Sequence, residues 1–139
     1  MNKKPPAQDV MWSLLQAAGA VEARIEDALA EVGLSGAKLA ALTQLVEAGE
    51  PISLGELAAQ CACVRSNITQ LVDRLESEKL VKRMDDPQDR RSLRAAITPL
   101  GRERQALGAK KIEAVRKQLA GALKAIGRAS CRERVSRSV

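Results

Sequence analysis

Arg65, Ser66, Asn67, Thr69 and Gln70 fall within six consecutive positions of a 139-residue chain, and Asp89, Arg90 and Arg91 cluster later in the run DDPQDRRS. Guanidinium, hydroxyl and amide side chains are the types that hydrogen-bond base edges and phosphate oxygens. Covalent chemistry is a poor match for them. The chain has no histidine, so catalytic triads, His-ligated zinc and imidazole acid–base steps are excluded. Its three cysteines, Cys61, Cys63 and Cys131, have neither CxxC spacing nor an even count, which argues against a metal site or a disulfide framework. The expectation is a binding protein, not an enzyme, with no cofactor and no metal.

Four further residues invite a role. Arg74 suits either a phosphate contact or an internal ion pair. Asp73 shares the outer side of the same segment but is anionic, so it should pair with a nearby arginine or lie outside any polyanion contact. Cys63 precedes a helix whose N-terminal dipole would favour a thiolate. It suits a redox sensor, although a small residue packed in a turn suits the position better; Cys61 reads as a buried apolar residue. Trp12 is the sole aromatic residue, which argues against stacking-based capture of single strands. It fits a helix interface or core, or else the wall of an effector crevice.

Charge is distributed unevenly. The net charge is +6, yet residues 1–52 carry four basic and seven acidic side chains, whereas residues 98–125 carry seven basic and two acidic ones. A basic back behind an acidic front is compatible with a polyanion partner and equally with a solvated helix face. With 45% hydrophobic and 29% charged residues, the composition is that of an ordinary globular domain. The start, MNKKPPAQDV, lacks an apolar stretch behind its lysines, and no apolar run is long enough to span a bilayer. A cytoplasmic protein without membrane contact is expected.

The elements that must position these side chains are legible from spacing. Val10, Met11, Leu14, Leu15, Ala18, Val21, Ile25, Ala28 and Leu29 mark an amphipathic helix over about 8–31, closed by Gly33. A second helix spans about 35–48, with Leu39, Leu42, Leu45 and Val46 inward, and Pro51 follows as a break. Ser53 and Glu56 form a capping box on a short helix. The next helix, about 64–78, aligns Val64, Ile68, Leu71, Val72 and Leu75 on one stripe, leaving Ser66, Gln70 and Asp73 opposite it. Strands are expected over 80–84 and 93–97, with turn chemistry around Pro87 between them. Thr98 and Pro99 then open a long helix to about Ala125. The order is helix, turn, helix, strand, arginine loop, strand. The major groove of a duplex admits one helix, while a basic loop beside it reaches backbone or minor groove.

The blocks RSNITQLVDRLE, LVKR, DDPQDRRS and ITPLG, in that order, resemble the winged helix-turn-helix core of MarR-family transcriptional regulators over roughly residues 33–104. The resemblance implies a mainly α fold with a small β-wing, flanked by N- and C-terminal dimerisation helices. It implies a homodimer on a palindromic double-stranded DNA operator, often relieved by a small-molecule effector or an oxidant. Position by position, Arg65, Ser66, Asn67, Thr69 and Gln70 match the major-groove contacts, Arg90 and Arg91 match the wing tip, and Asp89 matches an acid that orients neighbouring arginines. One departure is Lys79, where the family usually has glycine after the recognition helix. If that position is left-handed, the side chain costs about 1 kcal/mol.

The segment 126–139 (IGRASCRERVSRSV) breaks the preceding helical periodicity and resembles translated sequencing-adapter read-through. It is therefore set apart as a non-native tail, which also removes Cys131 from consideration. The resulting division is 1–34, a dimerisation helix; 35–98, the DNA-binding core; 99–125, a shortened dimerisation helix; and 126–139, the tail. A ligand-responsive dimeric repressor is the leading expectation. The alternatives are a thiol-based oxidant sensor using Cys63 and a winged-helix protein-interaction module, the latter requiring an apolar or acidic recognition face.

Overall fold

The computed structural model describes residues 7–62 and 65–137, with side-chain surroundings for 9–62 and 67–125. Five helices and three short strands follow in the order α1 (Ala7–Ala30), α2 (Gly36–Ala48), β1 (Ile52–Ser53), α3 (Leu54–Gln60), α4 (Arg65–Ser77), β2 (Val81–Asp85), β3 (Leu93–Ile97) and α5 (Pro99–Arg137). The fold is mainly α with a three-stranded antiparallel wing, in the order β1-β3-β2. Spacing alone missed β1, because two residues are too few for alternation to register. It pairs Ile52 with Ala95 and Ser53 with Arg94, closing the free edge of the hairpin.

Local chemistry explains most boundaries. The Ser35 side chain accepts a bond from the Lys38 N–H at 3.2 Å at the start of α2, and left-handed Gly49 ends that helix. Ser53 Oγ accepts from the Glu56 N–H at 3.1 Å and opens α3. Thr98 does the same for α5, accepting from the Gly101 N–H at 3.0 Å, with Pro99 at the first helical position.

One core holds these elements together. Leu29, Leu42, Leu45, Leu57, Ile68, Val72, Leu75 and Leu80 are fully buried, drawn from α1, α2, α3, α4 and the turn into the wing. The apolar stripe of α4 thus anchors the helix and turns its polar side outward. Arg104 of α5 donates to the Val32 carbonyl at 3.0 Å, Gln105 donates to Thr43, and Lys111 pairs with Glu31, so α5 grips both α1 and α2.

One expectation changes. The last helix does not stop near Ala125: its backbone stays helical to Arg137. Alanine, arginine and glutamate are strong helix formers, no proline follows Pro99, and extending an existing helix is far easier than starting one. The apolar stripe of α1 is exposed along its front: Val10, Met11, Trp12, Leu14 and Leu15 are all exposed, partial burial begins at Val21, and Leu29 is fully buried.

Candidate nucleic-acid interface

The first exposed surface is built on α4. Between the core residues Ile68, Val72 and Leu75, the side chains of Asn67, Thr69, Gln70, Asp73 and Arg74 are exposed. Arg65 and Ser66 occupy the first positions of the helix, and their side chains lie outside the described residues. Cys63, in the turn, is likewise outside them. Its neighbour Cys61 is partly buried and packs on the core. Arg74 is exposed and makes no ion pair among the described residues. The face is polar, neither apolar nor acidic.

Both ends of α4 are set by left-handed residues that are not glycine. Ala62 has φ 53° in the turn before it, and Lys79 has φ 62° after it. The conditional cost attached to Lys79 therefore applies. The Lys79 N–H donates to the Glu76 carbonyl and the Leu80 N–H to the Leu75 carbonyl, both at 2.9 Å. This closes the helix and turns the chain straight into β2.

The second exposed surface is the wing. Its tip is held by two aspartates acting on backbone. Asp86 accepts from the Gln88 N–H at 2.9 Å, and Asp89 accepts from the Arg91 N–H at 3.0 Å. Asp89 thereby fixes the chain beneath Arg91, and both Arg90 and Arg91 project into solvent. The Gln88 N–H bond holds the Asp86 carboxyl below its ordinary range, partial burial opposes this, and Arg94, with its Nε 3.3 Å away, adds to the lowering.

Arg83 of β2 joins the two surfaces. Its guanidinium pairs with Asp73, and its backbone N–H donates to the Glu76 carboxylate at 3.0 Å. The expectation that Asp73 would pair with a nearby arginine is met here. β2 leaves the end of α4, and its middle residue reaches both Glu76 and Asp73, so the base of the hairpin is tied to the C-terminal half of the helix.

A separate apolar groove of about 360 Å³ lies between α1 and α5, lined by Ile25, Ile112, Val115, Leu119 and Leu123 with Arg116 at its border. Trp12 is not among its lining residues; it is 64% exposed further along α1. No sequence signal pointed to this groove, because its walls come from helices far apart in the chain. Among the described residues there is no metal-holding group of three or more His, Cys, Asp or Glu, and no helix is long and apolar enough to cross a membrane.

The profile of the MarR family matches residues 34–93, from the start of the core through the wing. The uncharacterized HTH-type transcriptional regulator YsmB of Bacillus subtilis (strain 168) is 30% identical over 103 residues, spanning 73% of this chain and 70% of that protein. The chain belongs to the MarR family. It is a transcriptional regulator of that family, with the winged helix-turn-helix described above. Among solved MarR-like structures, CouR from Rhodococcus jostii RHA1 bound to p-coumaroyl-CoA is 26% identical, with a TM-score of 0.68 over 89% of this chain and 95% of that one. The repressor CouR bound to a 23-mer DNA duplex superposes with a TM-score of 0.79 over 98% of this chain and 96% of that one; at 24% identity this likeness speaks for the fold.

Proposed function

We propose that this MarR-family regulator is a ligand-responsive repressor that binds a palindromic double-stranded DNA operator as a homodimer. The observation that carries the reading is the pairing of a polar, core-anchored α4 front (Asn67, Thr69, Gln70) with an arginine-tipped wing tied to the same helix through Arg83. In this reading Arg65, Ser66, Asn67, Thr69 and Gln70 read one half-site in the major groove, Arg74 meets phosphate, and Arg90 and Arg91 reach the flanking minor groove. Asp89 orients the arginine pair. Phosphate contacts supply salt-dependent affinity and base contacts supply sequence preference.

Dimerisation draws support from the uncovered apolar front of α1 and from Leu123, 69% exposed on α5. Such contiguous apolar surface usually meets a partner, and a twofold pair would present two α4 helices to two half-sites. In this division residues 1–34 and 99–125 form the dimerising part and 35–98 the reading part. The α1–α5 groove has the size and apolar lining of a small-molecule site. A ligand there would release DNA only by favouring a dimer with a different spacing between its recognition helices.

Selection from random duplexes, followed by anisotropy titration on the recovered site at several salt concentrations, tests the reading. Two inverted half-sites are expected. Replacing Arg90 and Arg91 together by Ala should weaken binding and lower the salt slope by about one unit for each phosphate that is no longer neutralised. Recovery of no motif, or of a single half-site, would sink the dimeric-reader reading. Loss of operator binding on peroxide treatment in wild type, absent in Cys63→Ser, would instead favour the oxidant sensor.

A further inference from the structure

We infer that Arg83 is a positioning residue for DNA binding: it is the joint that fixes the wing against the recognition helix, without touching DNA itself. The inference rests on the operator-reading function proposed above and goes beyond it, because it separates holding the wing from contacting DNA.

Three observations point to this role. First, Arg83 makes two contacts to α4 from different parts of the residue: its side chain pairs with Asp73, and its backbone N–H bonds Glu76. Asp73 and Glu76 are three positions apart, so a single β2 residue spans almost one helical turn and resists both sliding and rotation of the hairpin. Second, the Nε and Nη2 atoms of Arg83 are buried, although its side chain keeps 24% of its surface and that of Asp73 56%. Two nitrogens turned away from solvent in this way are poor partners for a phosphate. Third, the remaining acid at the end of α4 is held elsewhere: Glu78 pairs with Lys38 of α2 at 2.7 Å. Helix-to-wing attachment by side-chain charge therefore converges on Arg83 among the described residues.

Removing Asp73's charge separates this role from simple electrostatics. On charge alone, Asp73→Asn deletes a negative group from the DNA-facing helix and should tighten binding. If the Asp73–Arg83 pair is the joint, the same substitution frees the wing and should weaken binding by about tenfold, within the range of coupling between contacting groups.

The experiment measures operator affinity and salt slope for wild type, Asp73→Asn, Arg83→Met, the Arg90→Ala/Arg91→Ala pair, and each of the first two variants combined with that pair. Circular dichroism and thermal midpoint are recorded for each protein. Expected are weaker binding by Asp73→Asn and Arg83→Met with a folded spectrum, and no further weakening when either is placed in the wing-arginine background, because a released wing already forfeits those interactions. Tighter binding by Asp73→Asn, or effects that add fully to that of the wing-arginine pair, would overturn the joint. Should Arg83→Met fail to fold, Asp73→Asn carries the test by itself, since it keeps side-chain size. Failure of wild type to bind any duplex would count against the operator reading, whereas normal wild-type binding with additive variants would count against Arg83 alone.

Discussion

Lys79 holds a backbone conformation that an L side chain disfavours, with φ 62°, yet the turn from α4 into β2 depends on it. Lys79→Gly should raise stability by about 1 kcal/mol, read as a higher denaturant midpoint with an unchanged slope. An unchanged midpoint would mean that its side chain compensates the strain. Asp86 gives a second prediction at this scale. Its folded pKa is lowered from the ordinary 3.8, chiefly by the Gln88 N–H. A carboxylate with a depressed folded pKa stabilises the fold above its unfolded value, and that stabilisation disappears as pH falls through the folded pKa. The contribution of the Asp86–Gln88 bond to the wing turn should therefore be fully present above about pH 5 and fall away below about pH 4. Amide exchange at Gln88 should report this, and Asp86→Asn should remove the pH response. The left-handed turn at Lys79 was visible in the sequence as a missing glycine. The one at Ala62 was not, because alanine gives no hint of unusual backbone.

Among the elements, those with caps and clear periods were legible: α2 with Ser35 and Gly49, α3 with Ser53, and α5 with Thr98 and Pro99. The polar face of α4 was equally plain, since its apolar stripe fixes which residues face out. What escaped were features set by partners distant in sequence. The pairing of β1 with β3 and the bond from Arg83 to Glu76 depend on which strand lies beside which helix. Gly101 is another such feature: a Cβ there would collide with the Leu80 carbonyl oxygen, where α5 crosses the root of the wing. Gly101→Ala should destabilise the protein by about 1–3 kcal/mol, measured by thermal or urea unfolding. A neutral result would show that α5 can back away from the hairpin. The long reach of α5 to Arg137 was missed because helix propagation needs no apolar period. Residues of the described core end at Val115, so removing residues 126–139 should leave the fold and its cooperative unfolding intact.

For the whole molecule, the proposed homodimer would bury the exposed front of α1. Leu14→Glu together with Leu15→Glu should convert a dimer to monomer in sedimentation equilibrium while leaving the helical spectrum unaltered, because neither side chain enters the core. A dimer unaffected by both charges would place the interface elsewhere. Mass action makes a further expectation: if assembly stabilises the fold, the thermal midpoint should climb with protein concentration.

The Thr98 hydroxyl donates to the Lys79 carbonyl at 2.7 Å and accepts from Gly101, while the Thr98 N–H bonds the Leu80 carbonyl at 3.1 Å. The root of the hairpin and the start of the longest helix are thereby soldered into one lever. A displacement of the start of α5 would therefore carry the base of the arginine-tipped hairpin with it.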